Sequence, residues 1–237
     1  MMNKIGIIGA MEIEMNMLQE QLGQCRVTEK AGMSFYEGVL CDVSVVVVKS
    51  GAGKVNSAIC AQILADLFDV THIINTGVAG SLDAAVDYCD MVISTEVCYH
   101  DMHNEAMGYK PGEPPKPGWL LYTADERMIA CAEEACKKIR ALDGHSFGIH
   151  KGRIVTGDWF INSAERKAAV IAKFGGLCTE MEGASIGHSA YLNDIPFVVI
   201  RSISDKADDS ADVDFHSFEV EAAKRSMGVV KCMIQQL

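Results

Sequence analysis

Carboxylate side chains follow three apolar segments of this chain that are typical of β-strands. Glu14 comes shortly after the first of these segments, Glu182 shortly after the second, and Asp205 shortly after the third. Because ligands of open α/β sheets bind outside the C-terminal ends of the strands, we expect these three carboxylates to converge on one crevice. Carboxyl groups placed in this way can transfer protons and stabilise a cationic intermediate.

Two further features lie at predicted strand ends. Arg201 and Ser204 are close to Asp205 in sequence, and a glycine-rich turn at Thr76–Gly80 follows another apolar segment. A single acid, such as Glu12, has a simpler interpretation, because the helix dipole stabilises a carboxylate in the first turn of a helix. Several acids together with a glycine-rich turn favour a small-molecule enzyme.

The elements that must position these residues alternate between β-branched segments and longer segments of helical periodicity. Strands are predicted at Lys4–Ala10, Ser34–Leu40, Val43–Lys49, Thr71–Thr76, Met91–Tyr99, Phe147–Thr156, Gly176–Glu180 and Phe197–Ser204. Helices are predicted at Glu12–Leu22, Lys54–Phe68, Ala124–Ala141, Ser163–Phe174, Gly183–Leu192 and Phe215–Gln236. This alternation predicts an α/β fold in which helices flank a mixed, mostly parallel central sheet.

The length of 237 residues and the lack of a linker-like segment favour a single domain over residues 1–237. The segment His100–Gly118 interrupts the alternation, because it holds four of the five prolines. Long loops inside a compact domain commonly contribute to function or to contacts with a partner. We therefore expect this loop to lie near the functional site or a subunit interface.

The composition restricts partners and compartment. The formal net charge of −11, from 32 acidic and 21 basic residues, disfavours nucleic acid and anionic membranes as partners. The nine cysteines are scattered among apolar neighbours without a Cys-x-x-Cys pair, which is typical of reduced thiols in the cytosol. The chain has no signal-peptide pattern, and its longest aliphatic run is too short to span a bilayer. We expect a soluble, cytoplasmic protein.

Three short stretches resemble cofactor or metal motifs but fail on spacing. Gly6-Ile-Ile-Gly9 lacks the Gly-x-Gly-x-x-Gly spacing of a dinucleotide site. Ser50-Gly-Ala-Gly-Lys54 lacks both the first glycine and the hydroxyl residue of a Walker A loop. His100-Asp101-x-His103 has ligand-type side chains, but no fourth ligand is evident nearby. The sequence therefore predicts no cofactor and no metal.

The chain resembles the methylthioadenosine/S-adenosylhomocysteine nucleosidases of the purine nucleoside phosphorylase superfamily in seven blocks. The blocks are Gly6-Ile-Ile-Gly-Ala-Met-Glu-x-Glu14, Lys49-Ser-Gly-x-Gly-Lys54, Asn75-Thr-Gly-x-Ala-Gly80, Tyr99-His-Asp101, Gly157-Asp-x-Phe-Ile-Asn162, Glu180-Met-Glu-Gly-x-x-Ile186 and Arg201-x-Ile-Ser-Asp205. They occur in family order and cover essentially the whole chain, so together they are specific. The resemblance implies a homodimer that hydrolyses the N-glycosidic bond of adenine thionucleosides.

The resemblance also implies a role for each polar residue of the crevice. Asp205, with Ser204 beside it, matches the acid that addresses N7 and the 6-amino group of adenine. Glu14 matches the residue that activates water. Glu182 matches the carboxylate that binds the ribose hydroxyls, and Arg201 orders the water and the carboxylates. These roles suit the chemistry, because the leaving base must gain a proton while a cationic sugar is stabilised.

The same resemblance implies the walls of the pocket. Phe160 matches the side chain that stacks on adenine, and the backbone of Ile161 reads the edge of the base. Further wall residues are Met11, Ala52, Val78, Ala79, Gly80, Met181 and Phe215. Asn104 and Met107 match loop positions at which the neighbouring subunit closes the 5′ pocket. The residues that depart from the usual family pattern are Val78, Asn104, Met107 and Trp159, and we expect them to affect the 5′ preference.

Two alternatives to a hydrolase remain. A phosphorylase of the same superfamily would need arginines near the glycine turns to hold phosphate. None of the seven arginines lies within Gly6–Glu14 or beside Thr76–Gly80, which favours hydrolysis. A catalytically silent nucleoside-binding protein would not need a water-activating acid. The presence of Glu14, Glu182 and Asp205 together therefore favours an enzyme.

Overall fold

The computed structural model describes residues 3–10, 12–116, 120–143 and 146–237. Its strands are β1 (Lys4–Gly9), β2 (Gly23–Lys30), β3 (Met33–Leu40), β4 (Val43–Lys49), β5 (His72–Ser81), β6 (Met91–Tyr99), β7 (Tyr122–Thr123), β8 (Ile149–Thr156), β9 (Cys178–Glu180) and β10 (Phe197–Asp205). Its helices are α1 (Glu12–Gln19), α2 (Lys54–Phe68), α3 (Glu126–Asp143), α4 (Ala164–Phe174), α5 (Gly183–Leu192) and α6 (Ala211–Ile234). Within the described ranges, no helix combines the length and the apolar character needed to cross a bilayer.

One mixed sheet joins the strands in the order β10-β6-β8-β9-β5-β1-β4-β3-β2, with β7 paired to β6. Strand β10 also pairs with β5, so that β5, β9, β8, β6 and β10 close into a ring. Strand β1 is parallel to β4 and β5, and β10 is parallel to β5. The edge formed by β2, β3 and β4 is antiparallel. The predicted α/β fold with a mixed, mostly parallel sheet is confirmed.

The central strands are buried on both faces. Ile5, Ile7 and Ile8 of β1 and residues Val45–Val48 of β4 are fully buried. A strand covered on both faces needs apolar side chains on both sides, which explains why these segments are continuous apolar runs without alternation. Helix α6 packs against β5 and β10, and α2 packs against α5.

Two strands were not expected from the sequence, and one helix is shorter than predicted. Nearly all side chains of β2 are exposed, so this edge strand has no apolar alternation that would have revealed it. Strand β7 has only two residues. Helix α1 ends at Gln19, whereas helical periodicity predicted an end at Leu22.

The segment Thr76–Gly80, predicted as a turn, is instead the second half of β5. Gly80 pairs with Thr179 of β9 on one side and with Asp205 of β10 on the other. The glycines let two neighbouring strands approach closely, which is why turn-type residues occur inside a strand here. The prediction of a turn at Thr76–Gly80 was therefore wrong.

Helix α6 begins at Ala211, four residues before the predicted start at Phe215. Ala211 is fully buried. The polar segment before Phe215 includes Asp214, and an acidic residue near a helix N-terminus is favoured by the helix dipole. The polar character of this segment is therefore compatible with a first helical turn.

Candidate active site

A cavity of about 320 Å³ lies at the C-terminal ends of several strands. The residues that line it belong to β9, β10, the second half of β5 and α6, or follow directly after β1, β4, β8 and β9. The residues around it are Ala10, Ala52, Thr76, Gly77, Val78, Ala79, Gly80, Trp159, Phe160, Ile161, Thr179, Glu180, Met181, Glu182, Arg201, Ser204, Asp205 and Phe215. The expectation that polar residues at strand ends meet in one crevice agrees with this arrangement.

Asp205 is a buried carboxyl group on the cavity wall, 2% exposed. Its Oδ1 accepts a hydrogen bond from the backbone N–H of Ala207 at 2.8 Å, and its Oδ2 accepts one from Ser204 Oγ at 2.9 Å. Burial raises the pKa of Asp205 above the ordinary aspartate value of 3.8, although the two hydrogen bonds oppose this shift. The group can therefore hold a proton more firmly than an exposed aspartate can.

A β-bulge explains how two adjacent residues of β10 both reach the cavity. The pairing of β10 with β5 shifts register between Ile203 and Asp205. In a regular strand, neighbouring side chains point to opposite faces of the sheet. A bulge inserts an extra residue and changes the direction of the side chains that follow. Ser204 and Asp205 consequently line the same cavity.

Arg201 and Glu180 form a buried ion pair at the base of the cavity, with side chains 1% and 2% exposed. Nη2 of Arg201 donates to Oε2 of Glu180 and, at 2.6 Å, to Oδ1 of Asn75. Glu180 also accepts a hydrogen bond from Thr156. Further hydrogen bonds to both members stabilise such a buried pair, and Asn75 and Thr156 supply them here.

Glu180 also organises the start of α5. Its Oε2 accepts hydrogen bonds from the backbone N–H groups of Glu182 at 3.0 Å and Gly183 at 2.7 Å. In the sequence, Glu180 opens a motif block but has no assigned role in the site. Its contacts assign it a structural role, because it fixes both Arg201 and the turn that carries Glu182.

Glu182 lies between the cavity and α2. Its Oε1 accepts a hydrogen bond from the backbone N–H of Gly53 at 2.8 Å, and its Oε2 lies 3.8 Å from Nη2 of Arg201. The side chain is 7% exposed. Glu182 therefore places a buried carboxyl group on the cavity wall, close to the guanidinium of Arg201.

Aromatic side chains form the opposite wall. Phe160 and Phe215 meet edge to face with their ring centroids 6.0 Å apart. Trp159 lies at the rim, where the guanidinium of Arg166 stacks 3.9 Å from its ring centroid. A flat heterocycle could pack against Phe160 with its polar edge toward the backbone of Ile161.

Most of the predicted site residues lie around this one cavity. Those that do are Ala52, Val78, Ala79, Gly80, Phe160, Ile161, Met181, Glu182, Arg201, Ser204, Asp205 and Phe215. Met11 lies outside the described residues, and Glu14 belongs to α1 but its side chain is not among those described. Their roles remain predictions.

The two predicted loop residues lie elsewhere. Asn104 donates to the backbone oxygen of Glu113 at 3.3 Å, and Met107 is 68% exposed on a 3₁₀ turn at Glu105–Met107. Neither is among the described residues around the cavity of its own chain. A role in a neighbouring subunit's pocket remains a prediction.

Several cavity residues were missed by reasoning from the sequence. They are Ala10 and Thr179, whereas Thr76, Gly77 and Glu180 were noted at strand ends without a role of their own. All lie within or next to the motif blocks, so their place at the end of a strand was the feature that could have identified them. Their small or buried side chains gave no chemical reason to select them.

The His100-Asp101-x-His103 stretch does not form a metal centre in the described part of the chain. No group of three or more histidine, cysteine, aspartate or glutamate side chains there could hold a metal ion. Asp101 instead binds Lys54, and His103 lies 3.6 Å from Glu105.

Comparison with known proteins identifies the family. The model of the phosphorylase superfamily matches residues 4–235. A 5′-methylthioadenosine/S-adenosylhomocysteine nucleosidase of Exiguobacterium is 41% identical over 98% of this chain and 99% of its own.

Two solved structures agree with this relationship. The nucleosidase of Colwellia psychrerythraea in complex with adenine has a TM-score of 0.94 and 37% identity, covering 100% of this chain and 96% of that one. The Neisseria meningitidis enzyme in complex with methylthio-immucillin-A has a TM-score of 0.93 and 33% identity, with 100% of both chains covered. The chain belongs to the 5′-methylthioadenosine/S-adenosylhomocysteine nucleosidase family within the phosphorylase superfamily.

Proposed function

We propose that this protein hydrolyses the N-glycosidic bond of 5′-methylthioadenosine and S-adenosylhomocysteine, releasing adenine and the corresponding thioribose. Water supplies a hydroxyl group to C1′ of the sugar, and the leaving adenine gains a proton. The observation that carries this proposal is the buried Asp205 carboxyl on the cavity wall, whose raised pKa suits a proton donor.

Asp205 acts as the acid toward N7 of adenine. Burial keeps its carboxyl group protonated to a higher pH than in an exposed aspartate. When the proton moves to the base, the resulting carboxylate is stabilised by the hydrogen bonds from Ser204 and Ala207. Burial therefore favours the protonated acid before the transfer, and the two hydrogen bonds stabilise the carboxylate that forms after it.

Glu182 binds the ribose and stabilises the positive charge that develops on it. The carboxylate is buried and lies 3.8 Å from Arg201, so its negative charge acts on the sugar with little screening by water. On family resemblance, Glu14 removes a proton from the attacking water and Met11 contacts the sugar. Phe160 stacks on adenine, and the Ile161 backbone reads the edge of the base.

Hydrolysis is favoured over phosphorolysis by the charges around the cavity. Arg201 is the only basic side chain among the described cavity residues. Its guanidinium already binds Glu180 and Asn75. A phosphate dianion would therefore meet carboxylates without a free arginine to hold it.

The acceptor can be tested directly. Methylthioadenosine is incubated with the protein in phosphate buffer and in a phosphate-free buffer, and the sugar product is analysed. We expect free methylthioribose and equal rates in both buffers. Methylthioribose 1-phosphate as the main product would establish a phosphorylase, and binding without adenine release would establish a silent nucleoside-binding protein.

The two carboxylates on the sugar side can be separated by substitution. Glu14→Gln is expected to lower turnover by about a hundredfold or more, because water loses its base. Glu182→Gln is expected to weaken binding of a transition-state analogue more than Glu14→Gln does, since it loses the ribose contact. Near-normal turnover of Glu14→Gln would disprove its assignment as the base.

A homodimer in which the 100–118 loop reaches the neighbour's pocket is part of this proposal. It is supported by the exposed Met107 on that loop and by the exposed apolar side chains Val55 and Ile59 on α2. Light scattering should give twice the chain mass. A fully active monomer would refute this part.

The nine free cysteines support a reducing, cytoplasmic location.

A further inference from the structure

Lys54, Asp101 and Asp158 belong to the motif blocks but have no role in the proposed reaction. Nζ of Lys54 donates to both carboxylate oxygens of Asp101 at 2.6 Å. Oδ2 of Asp101 also accepts from the backbone N–H of Asp158 at 2.8 Å. Oδ1 of Asp158 accepts in turn from the backbone N–H of Lys54 at 2.7 Å. The three residues thus form a closed triangle of hydrogen bonds.

This triangle joins two walls of the cavity that are distant in sequence. Lys54 is the first residue of α2 and directly follows Gly53, whose backbone N–H donates to Glu182. Asp158 directly precedes the segment 159–161, which carries Phe160. One triangle therefore connects the wall that holds Glu182 with the aromatic wall.

The central ion pair is sheltered from water. The side chains of Lys54 and Asp101 are 20% and 19% exposed, and both carboxylate oxygens are used. Charge-assisted hydrogen bonds of this kind are stronger than neutral ones, and partial burial reduces their screening by salt. Gly53 has a φ of +95°, and a Cβ there would lie 3.0 Å from Oδ1 of Asp158, so the two chain segments are in close contact.

We propose that Asp101 is a positioning residue for substrate binding. Through Lys54 and Asp158, it fixes the separation between the Gly53 wall, with Glu182, and the aromatic wall. It therefore governs the affinity for the nucleoside more than the rate of bond cleavage, because both acids have anchors outside the triangle. Asp205 is held by Ser204 and Ala207, and the backbone of Glu182 is held by Glu180. This inference rests on the proposed hydrolysis.

The test compares Asp101→Asn, Lys54→Met and the double variant. We expect each single variant to raise KM for methylthioadenosine by about 10-fold to 100-fold while kcat falls by less than about threefold. The double variant should be no worse than the poorer single variant by more than about twofold, since both changes break one unit. Lys54→Arg, which can still bind the carboxylate, should recover part of the affinity.

A matched control is Lys4→Met, which breaks the 2.8 Å ion pair of Lys4 with Glu37. These side chains are 29% and 30% exposed. Lys4 is the first residue of β1, at the end of the strand opposite the cavity, and Glu37 belongs to β3. This variant should keep both kinetic constants. Thermal unfolding of every variant shows whether it is folded; if Asp101→Asn does not fold, Lys54→Met decides the result.

The inference is overturned if KM of the folded variants stays within about twofold of the wild-type value, or if kcat falls while KM does not change. Equilibrium dialysis with adenine separates this outcome from a failure of the proposed hydrolysis. A wild-type protein that releases no adenine refutes the hydrolysis. Positioning is then still tested by adenine affinity, which should fall in Asp101→Asn and not in Lys4→Met.

Discussion

The Cα of Gly80 packs directly against the carboxyl group of Asp205. A Cβ at residue 80 would lie 2.6 Å from Oδ1 of Asp205 and 2.9 Å from the Cβ of Ala207. Both distances are shorter than van der Waals contact, so a side chain at residue 80 would force the strand or the acid to shift. Glycine at this position is therefore a condition for the observed placement of the acid.

Gly80→Ala should displace Asp205 and lower kcat/KM by at least about tenfold, while overpacking lowers the free energy of unfolding by about 1–3 kcal/mol. Steady-state kinetics and urea unfolding measure the two effects. Gly23→Ala is a suitable control, because the atom nearest to its new Cβ is the Val39 backbone oxygen at 3.7 Å. Full activity of Gly80→Ala would show that the acid is not held in this position for catalysis.

Asp205→Asn should lower turnover by about a hundredfold or more, because the amide cannot protonate the leaving base. The wild-type enzyme needs this carboxyl group protonated, so its kcat/KM should fall as the pH rises through the raised pKa. The residual activity of the variant should lack this alkaline limb. An unchanged pH profile in the variant would assign the limb to another group.

Asp205→Asn should also change how the stability of the folded protein depends on pH. A raised pKa means that the folded protein binds a proton more tightly than the unfolded chain, so stability falls as the pH rises from the ordinary value of 3.8 through the folded-state pKa. Asp205→Asn removes this loss. Its Tm relative to the wild type should therefore increase from acidic to neutral pH, and a constant difference would contradict the raised pKa.

Arg201→Met should be strongly destabilising, by about 3–5 kcal/mol, because it leaves Glu180 buried without its cation. The double variant with Glu180→Gln should lose less than the sum of the two single variants, since the uncompensated charge is gone. Urea unfolding measures these differences. Lys151→Met, which breaks an exposed pair with Glu133, should leave the free energy of unfolding nearly unchanged. Additive effects at 180 and 201 would refute the coupling.

Adenine should be required, whereas the 5′ substituent should be read loosely. Methylthioadenosine, S-adenosylhomocysteine and 5′-deoxyadenosine should all be cleaved, with differences of about 1–3 kcal/mol in transition-state binding per lost apolar contact. Methylthioinosine should not react, because its 6-oxo group cannot donate to Asp205. Values of kcat/KM across these four nucleosides test both statements. Trp159→Ala should change the 5′ preference and keep the requirement for adenine.

Regular elements and strand-end acids could be predicted because they follow from local patterns. The apolar run of β1 identifies that strand, and the predicted bounds of α2, Lys54–Phe68, are those of the structure. Asp205 is the last residue of the buried strand β10. The closure of the ring between β5 and β10 could not be predicted, since it depends on pairing over more than a hundred residues.

The unpredicted parts of the site share one physical cause. Glu180 and Asn75 act by contacting Arg201, and Asp101 acts by contacting Lys54. Contacts between residues so far apart in sequence leave no periodicity or spacing that a single chain would reveal. The sequence can indicate where chemistry occurs, but the supporting contacts require the three-dimensional arrangement.

The bulge in β10 makes this site sensitive to the length of the chain as well as to its residue types. Loss of one residue between Ile203 and Asp205 would restore a regular ladder with β5, and the new strand would pair more evenly. The carboxyl group, however, would then take the place of Ser204, about 3.3 Å back along the strand, and would lose the hydrogen bond from the Ser204 hydroxyl group. Substitutions elsewhere could not return it. Proteins of this family should therefore tolerate substitution of residue 204 far better than its deletion.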